Sequence, residues 1–99
     1  MMRGTTPTVE FKLPFSADIL QKLWVTFSQN DTEKFTLTKD DVIINDNKII
    51  CKLSQLNTLS LNSGCKVEMQ IRGLTNDNIA VGSKIISSTP DRILKDGEI

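Results

Sequence analysis

The stretch KVEMQIRGLTNDNIAV, residues 66–81, predicts two strands joined by a turn. Apolar and polar side chains alternate on its first half: Cys65, Val67, Met69 and Ile71 fall on one face, and Lys66, Glu68, Gln70 and Arg72 fall on the other. Successive side chains of a strand point to opposite faces, so this alternation provides one face for a core. Residues 75–78, TNDN, favour chain reversal because their side chains bond nearby backbone and tolerate left-handed conformations. The stretch therefore predicts an antiparallel hairpin.

The same alternation recurs along most of the chain and predicts further short strands. The return strand of the hairpin has an inward-facing set of Ile79, Val81, Ser83 and Ile85. Gly82 is the position where a bulge can shift this alternation by one residue. Other inward-facing sets are Val9, Phe11 and Leu13; Leu23, Val25 and Phe27; Phe35 and Leu37; and Ile49, Cys51 and Leu53. Turn-forming residues separate these sets, at Pro14 and at residues 29–31, 39–41 and 45–47.

Only two short segments have helical character, so the predicted fold class is all-β. Residues 16–22 (SADILQK) and 54–59 (SQLNTL) each begin with a serine that can cap a single helical turn. Short strands without long helices between them favour antiparallel pairing in two packed sheets. We predict an antiparallel β-sandwich of roughly six to eight short strands over residues 1–89. A C-terminal tail, residues 90–99, follows it and either frays or docks.

The length and charge of the chain limit its function. Its 99 residues form about one domain with one modest core. The 12 basic and 12 acidic side chains give a formal net charge of zero, so no long-range field attracts nucleic acid or an anionic membrane. No apolar run approaches the roughly 20 residues that cross a bilayer, and the opening MMRGTTPTVEFK lacks the apolar segment of a secretion signal. We expect a protein that is made and kept in the cytoplasm and has no membrane partner.

The residues that most enzymes use are missing from the sequence. The chain contains neither histidine nor tyrosine, which excludes Ser-His-Asp and Cys-His catalysts. Asp40 and Asp41 are neighbours whose side chains diverge in an extended chain, so we interpret them as turn residues rather than a glycosidase pair. The Asn-Asp-Asn sequences at 45–47 and 76–78 lack the glycine and glutamate of a calcium loop, and no glycine-rich phosphate motif occurs. The sequence predicts a protein that is not an enzyme, with no catalytic residue, cofactor or metal.

Cys51 and Cys65 are the only cysteines, and both take inward positions. Beside Ile49, Leu53 and Val67, an unpaired cysteine acts as a small hydrophobic residue. The cytoplasm keeps thiols reduced, so we favour two free thiols over a disulfide. An apolar environment also predicts low reactivity, because it disfavours the thiolate.

Five basic side chains take outward positions in the second half of the chain: Lys48, Lys52, Lys66, Arg72 and Lys84. A single-stranded nucleic acid also needs aromatic side chains on which its bases can stack. The four phenylalanines, Phe11, Phe15, Phe27 and Phe35, mostly take inward positions. We therefore interpret the basic residues as a solvated face that protects sheet edges, and expect no nucleic-acid partner.

Three apolar residues, Trp24, Ile50 and Ile86, fall at outward positions and are candidates for a binding surface. In one interpretation they are ordinary surface residues, which a loop, the tail or a bulge covers. In the other, the partner-binding residues are Trp24, Ile50 and Ile86 together with Ile93 and Leu94 of the tail. Tryptophan is prominent among residues that carry interface energy, which favours the second interpretation. The sequence leaves both open.

Five segments carry a resemblance that covers nearly the whole chain: RGTTPTVEFKLPF at 3–15, LWVTFSQND at 23–31, INDNKIICKLSQLNTLSLNSG at 44–64, VEMQIRGLTNDN at 67–78 and RILKDGEI at 92–99. Together they resemble small proteins encoded in prophage tail regions of Gram-positive bacteria. The strand order is also similar to that of the immunoglobulin-like N-terminal domain of phage baseplate upper proteins. Such proteins continue into a long oligomerising stalk, whereas this chain stops after the sandwich. The resemblance implies a non-enzymatic virion or tail-assembly component and transfers no active site.

We therefore expect an immunoglobulin-like β-sandwich that acts as a phage or prophage structural or assembly protein, an interaction module of a tail or baseplate. Its partners would be other phage structural proteins or copies of itself. It would be made in the host cytoplasm and then either stay there or join the virion. The alternative is a ligand-binding β-sandwich for cell-wall carbohydrate or single-stranded nucleic acid. In that case Trp24 stacks on a ring and the outward lysines attract the ligand.

Overall fold

The structure, a computed structural model, describes all 99 residues and confirms the predicted all-β sandwich. Its eight strands are β1 (Thr8–Lys12), β2 (Leu20–Gln29), β3 (Thr32–Thr38), β4 (Ile43–Asn45), β5 (Lys48–Lys52), β6 (Val67–Thr75), β7 (Ala80–Gly82) and β8 (Ile86–Ser88). The helical segments are two 3-10 turns, at Ala17–Ile19 and Lys39–Asp41, and one short helix, α1 (Gln55–Leu59). Strands β4 and β8 were not among the strands that the sequence predicted.

Two antiparallel sheets pack against each other through their apolar faces. The strand order is β1-β5-β4 in the three-stranded sheet and β3-β2-β6-β7 in the five-stranded sheet, where β8 pairs with β6 beside β7. Phe11, Ile49 and Cys51 from the first sheet meet Phe27 and Ile71 from the second in a core of 15 buried apolar residues. Burial of this apolar surface is the main favourable term in folding. Each sheet keeps its other face towards solvent.

The predicted turns and the helical segment at residues 54–59 are confirmed, whereas the helical segment predicted at residues 16–22 is limited to Ala17–Ile19 because β2 begins at Leu20. The β2–β3 hairpin turns at Asn30 and Asp31, whose φ angles are 51° and 61°. Positive φ at both central residues matches the twist of a two-residue hairpin loop, and asparagine and aspartate tolerate it. Ser16 and Ser54 cap the two predicted helical turns, as each hydroxyl accepts a hydrogen bond from a backbone N–H in the first turn.

The return strand of the β6–β7 hairpin differs from the prediction. β7 ends at Gly82, and the ladder is interrupted at residues 83–85 before β8 begins. Ser83 fills the gap: its N–H donates to the Ile71 carbonyl at 2.8 Å, and its hydroxyl accepts from the Ile71 N–H at 2.9 Å. Ile85 lies in this interruption and Ile79 lies in the turn before β7, so both are exposed rather than inward-facing. Val81 does pack against the core.

The C-terminal tail docks instead of fraying. The Asp91 N–H donates to the Met1 carbonyl at 2.7 Å, and the Gly64 N–H donates to the Pro90 carbonyl at 3.1 Å. Arg3 fastens the same region, as its guanidinium donates to two backbone carbonyls near the end of α1, at 2.6 and 2.9 Å. Both termini therefore lie together on the segment that follows α1.

Candidate functional site

Trp24 stands in the middle of the five-stranded sheet, on the face that points away from the core. Its neighbours along β2, Leu23 and Val25, are buried, so the alternation of the strand places the indole outside. Strands flank it on both sides, with Thr38 of β3 and Arg72 of β6 directly opposite. Trp24 is 53% exposed, so about half of this large apolar residue remains open to solvent.

A shallow pocket of about 170 Å³ lies beside the indole. Its lining includes five residues that we call the Trp24 patch: Lys22, Trp24, Arg72, Leu74 and Ala80. The Cζ atom of Arg72 lies 5.7 Å from the ring centroid of Trp24, within the range of a cation–π contact. The patch therefore combines an apolar floor with two cationic side chains, and one of these is held over the indole.

The opposite end of the same outer face carries carboxylates. Glu33 of β3 and Glu68 of β6 lie on either side of β2, four residues along the strand from the indole. A second hollow of about 140 Å³ has Asp31 and Glu68 in its wall. Four residues of strand correspond to roughly 13 Å. Lys34 follows Glu33 in the chain and Lys66 lies two residues before Glu68, so this end carries both signs of charge, whereas no carboxylate lines the pocket beside Trp24.

The structure separates Ile50 from the Trp24 patch. Ile50 belongs to β5, where it is half-buried between Glu10 of β1 and Ile43 of β4 on the outer face of the three-stranded sheet. The outer faces of two packed sheets point in opposite directions. Trp24 and Ile50 therefore cannot contact a flat partner surface together.

The remaining predicted partner-binding residues also lie elsewhere. Ile86 is directly opposite the buried Met69, and opposite residues of an antiparallel pair share a face. Ile86 thus belongs to the inner face at the sheet edge, although it is 48% exposed, because the interruption at residues 83–85 shifts the alternation. Ile93 is half-buried against Gly4, where the tail docks. Leu94 is 93% exposed on the tail itself.

The sequence pattern does not single out Lys22, Leu74 or Ala80, and it places Arg72 only on an outward face. These residues meet because β2 pairs with β6 and β6 pairs with β7. A register shift between Leu20 and Lys22 sets Lys22 opposite Leu74. The alternation on each strand is visible in the sequence, but the partner strand and its register are long-range properties.

The five basic residues predicted to share a face are divided in the structure. Lys48 and Lys52 lie on β5 of the three-stranded sheet, whereas Arg72 lies on β6 of the other sheet. Lys66 and Lys84 are outside the strands. The Nζ atom of Lys48 lies 3.5 Å from a carboxylate oxygen of Glu10 in an ion pair. The fold therefore does not gather these charges into one basic face.

Both cysteines are free, and they differ in environment. Cys51 is fully buried in the core, and burial raises the pKa of its thiol from the ordinary value of 9.0 to about 11. Cys65 precedes β6 and is half-buried, so it is not part of the inward-facing set with Val67. The Cys51 thiol stays protonated near neutral pH, which is unsuitable for a nucleophile.

Asp41 belongs to the 3-10 turn at Lys39–Asp41, as the interpretation of residues 39–41 as a turn requires. One of its carboxylate oxygens accepts hydrogen bonds from the Thr38 N–H at 2.9 Å and the Thr38 hydroxyl at 3.0 Å. These bonds lower the pKa of the Asp41 carboxyl.

No group of three or more cysteine, aspartate or glutamate side chains is placed to hold a metal ion. None of the helices has the length and apolar character needed to cross a bilayer.

Comparison with known proteins assigns no family to the chain. Neither a protein-family model, nor a curated protein, nor a solved structure matches it. The resemblance to prophage tail proteins and to the baseplate domain therefore stays a prediction.

Proposed function

We propose that this domain is a non-enzymatic structural or assembly module of a phage or prophage tail or baseplate, and that it binds copies of itself through the outer face of its five-stranded sheet. The observation that carries the proposal is the half-exposed Trp24 in the middle of that face, beside an apolar pocket. Tryptophan is enriched among the residues that dominate interface energies. The phage setting comes from the sequence resemblance.

The charges on the outer face favour a second copy in the opposite orientation. In a twofold arrangement both copies use the same surface, so a residue away from the axis meets a different residue of its partner. Arg72 of one copy would then lie against Glu68 of the other, and opposite charges across an interface favour that register. The middle row, near the twofold axis, is uncharged and consists of Thr26, Thr36 and Gln70.

The apolar area that Trp24 can bury predicts a weak contact between two copies. A tryptophan contributes up to about 250 Å² of surface, so the 53% exposed in Trp24 corresponds to roughly 130 Å². At about 25 cal/mol per Å², burial of one indole gives about 3 kcal/mol, and burial of both gives about 6 kcal/mol before association costs of at least about 4 kcal/mol. A tight assembly needs several copies side by side, as in a tail or baseplate, where avidity adds to each contact.

Sedimentation of the purified domain tests the self-association. The two indoles leave about 2 kcal/mol after the minimum association cost, which corresponds to a Kd of about 30 mM, so we expect wild type at about 1 mM to contain a small, concentration-dependent fraction of dimer. Trp24→Thr, which keeps a residue that favours strands, should abolish the dimer. Leu94→Ala is the matched control, because it removes an exposed apolar side chain from the tail. A wild type that stays strictly monomeric would contradict the proposed interface.

Charge exchange tests the orientation. Arg72→Glu and Glu68→Arg should each weaken the dimer, because each places like charges opposite one another in the twofold arrangement. The double variant should recover most of the lost affinity. Additive losses in the double variant would rule out the opposed orientation.

The phage setting is tested separately. Mass spectrometry of particles and assembly intermediates, purified after induction of a prophage that carries the gene, should detect peptides of this chain. Absence from both fractions would remove the assembly role even if the domain dimerises.

A ligand-binding role is the second candidate, and the pocket beside Trp24 favours it. An exposed indole can stack on a sugar ring or a nucleobase, and Lys22 and Arg72 can attract an acidic group. A glycan array and an oligonucleotide titration at two salt concentrations distinguish the ligands. Binding led by phosphate weakens steeply with salt, whereas stacking on a neutral sugar does not.

A further inference from the structure

A cleft of about 350 Å³ opens between the two sheets, apart from the outer face that carries Trp24. Its floor is formed by the buried side chains of Leu13, Leu20 and Ile71, and its walls include the half-buried Phe15 and Val81. The cleft exists because β7 has only three residues and the ladder breaks after it, so this edge of the five-stranded sheet does not close against the end of β1.

Two lysines form the charged part of the rim. Lys12 and Lys84 line the cleft and are exposed, and neither ammonium group is engaged in an ion pair or a hydrogen bond. No acidic residue lines the cleft. Lys48, which is directly opposite Lys12 on the neighbouring strand, is instead paired with Glu10. The rim therefore presents two uncompensated positive charges beside an apolar floor.

We propose that this cleft binds a small amphipathic anion, an apolar body that carries a single carboxylate or similar acidic group. Its volume falls in the range of roughly 300 to 1,000 Å³ that is usual for small-molecule sites, which are mostly apolar with a few polar groups that fix orientation. The apolar body would contact Leu13, Leu20 and Ile71, and the acidic group would lie at the rim between Lys12 and Lys84. This site is independent of the proposed dimer interface, because its lining belongs to the interior and to one sheet edge.

Calorimetric titration with decanoate, below its micelle concentration, tests the site. Hexanoate, octanoate and decanoate should bind with increasing affinity, by roughly fourfold for each added methylene that is buried. Acetate should not bind measurably, and decyltrimethylammonium should bind more weakly than decanoate because the rim repels a cation. In methyl NMR spectra the shifts should fall on Leu13, Leu20, Ile71 and Val81. Absence of decanoate binding, or equal affinity for the cationic amphiphile, would overturn the proposal.

Substitutions at the rim and in the wall localise the binding. The double variant Lys12→Glu, Lys84→Glu should weaken decanoate binding by about tenfold, because two exposed attractions become repulsions. Lys52→Glu is the matched control, since Lys52 is exposed on the same sheet but does not line the cleft. Val81→Phe should fill the cleft and block decanoate. If the rim variant binds as wild type does, or if Val81→Phe folds and still binds decanoate, the cleft is not the site.

Discussion

Replacement of Gln29 by methionine is expected to lower the free energy of unfolding by about 2 kcal/mol, although the two side chains have similar size. Gln29 is the last residue of β2, and it is 1% exposed in an otherwise apolar column. Its Nε2 group donates to the Asn62 carbonyl at 2.9 Å and to the Cys65 carbonyl at 3.0 Å, and its Oε1 accepts from the Asn62 N–H at 2.8 Å. The Gln29 side chain thereby holds the segment between α1 and β6 against the five-stranded sheet through hydrogen bonds.

The magnitude follows from these three hydrogen bonds. Each contributes about 0.5 to 1.5 kcal/mol net, which gives a range of roughly 1.5 to 4.5 kcal/mol for the set. The lower half of this range applies, because Asn62 is exposed and its backbone can bond to water once the glutamine is gone. Methionine fills an irregular space of similar volume, so the cavity contribution stays small. The measured loss therefore reports mainly on the hydrogen bonds.

Urea unfolding followed by circular dichroism measures the effect. For a domain of this size a loss of about 2 kcal/mol moves the midpoint by about 1 to 2 M urea. Gln70→Met is the control, because Gln70 is half-buried on the same sheet and donates only one bond, to the Ser83 carbonyl at 3.2 Å. Amide exchange should also become faster at Asn62. A Gln29→Met variant as stable as wild type, or no less stable than Gln70→Met, would refute this reasoning.

Three further predictions concern Gly73, Cys51 and Arg3. In Gly73→Ala the added Cβ would lie 3.0 Å from a Leu20 methyl, so a loss of about 1 to 2 kcal/mol in urea unfolding is expected; Gly82→Ala, where the nearest atom is 3.7 Å away, should be nearly neutral. Because burial raises the pKa of Cys51 from 9.0 to about 11, the folded state keeps a proton that the unfolded state releases. Stability should therefore fall as pH rises from about 9 to about 11, and Cys51→Ala should flatten the dependence in that window. Arg3→Ala removes donors to two backbone carbonyls, so amide exchange in the docked tail should accelerate while the central strands remain protected.

The parts of the fold that the sequence predicts are those that depend on local alternation and turn chemistry. Val67, Met69 and Ile71 are buried as the alternation of β6 requires, and the Asn30–Asp31 turn has the backbone angles that its residues favour. The prediction of one continuous return strand is wrong, because the Ser83 hydroxyl takes the place of a backbone carbonyl as the acceptor for the Ile71 N–H. The alternation of apolar and polar residues does not reveal such a side-chain contact.

The candidate site is less predictable than the fold, since it depends on contacts between distant segments. The outward position of Trp24 follows from β2 alone. Its contact with Arg72 requires the pairing and register of β2 with β6, and the separation from Ile50 requires the assignment of β2 and β5 to different sheets. A search for outward aromatic and basic residues on strands finds Lys22, Trp24 and Arg72 but not Leu74 and Ala80, and only the sheet order decides which of these residues meet.

The sheet edges explain why association through a face is favoured over association through added strands. The edge strand β3 carries Glu33 and a register shift at Lys34, β4 has only three residues, and the β7–β8 edge is interrupted beside Lys84. Charged, short and bulged edges disfavour pairing with another chain. The remaining edge strand, β1, carries Glu10 and Lys12. With charged, short or interrupted edges, we expect self-association to use the apolar surface at Trp24 rather than an added strand. Trp24→Thr should therefore yield a monomer by sedimentation, and an oligomer that persists in this variant would show that an edge strand mediates assembly instead.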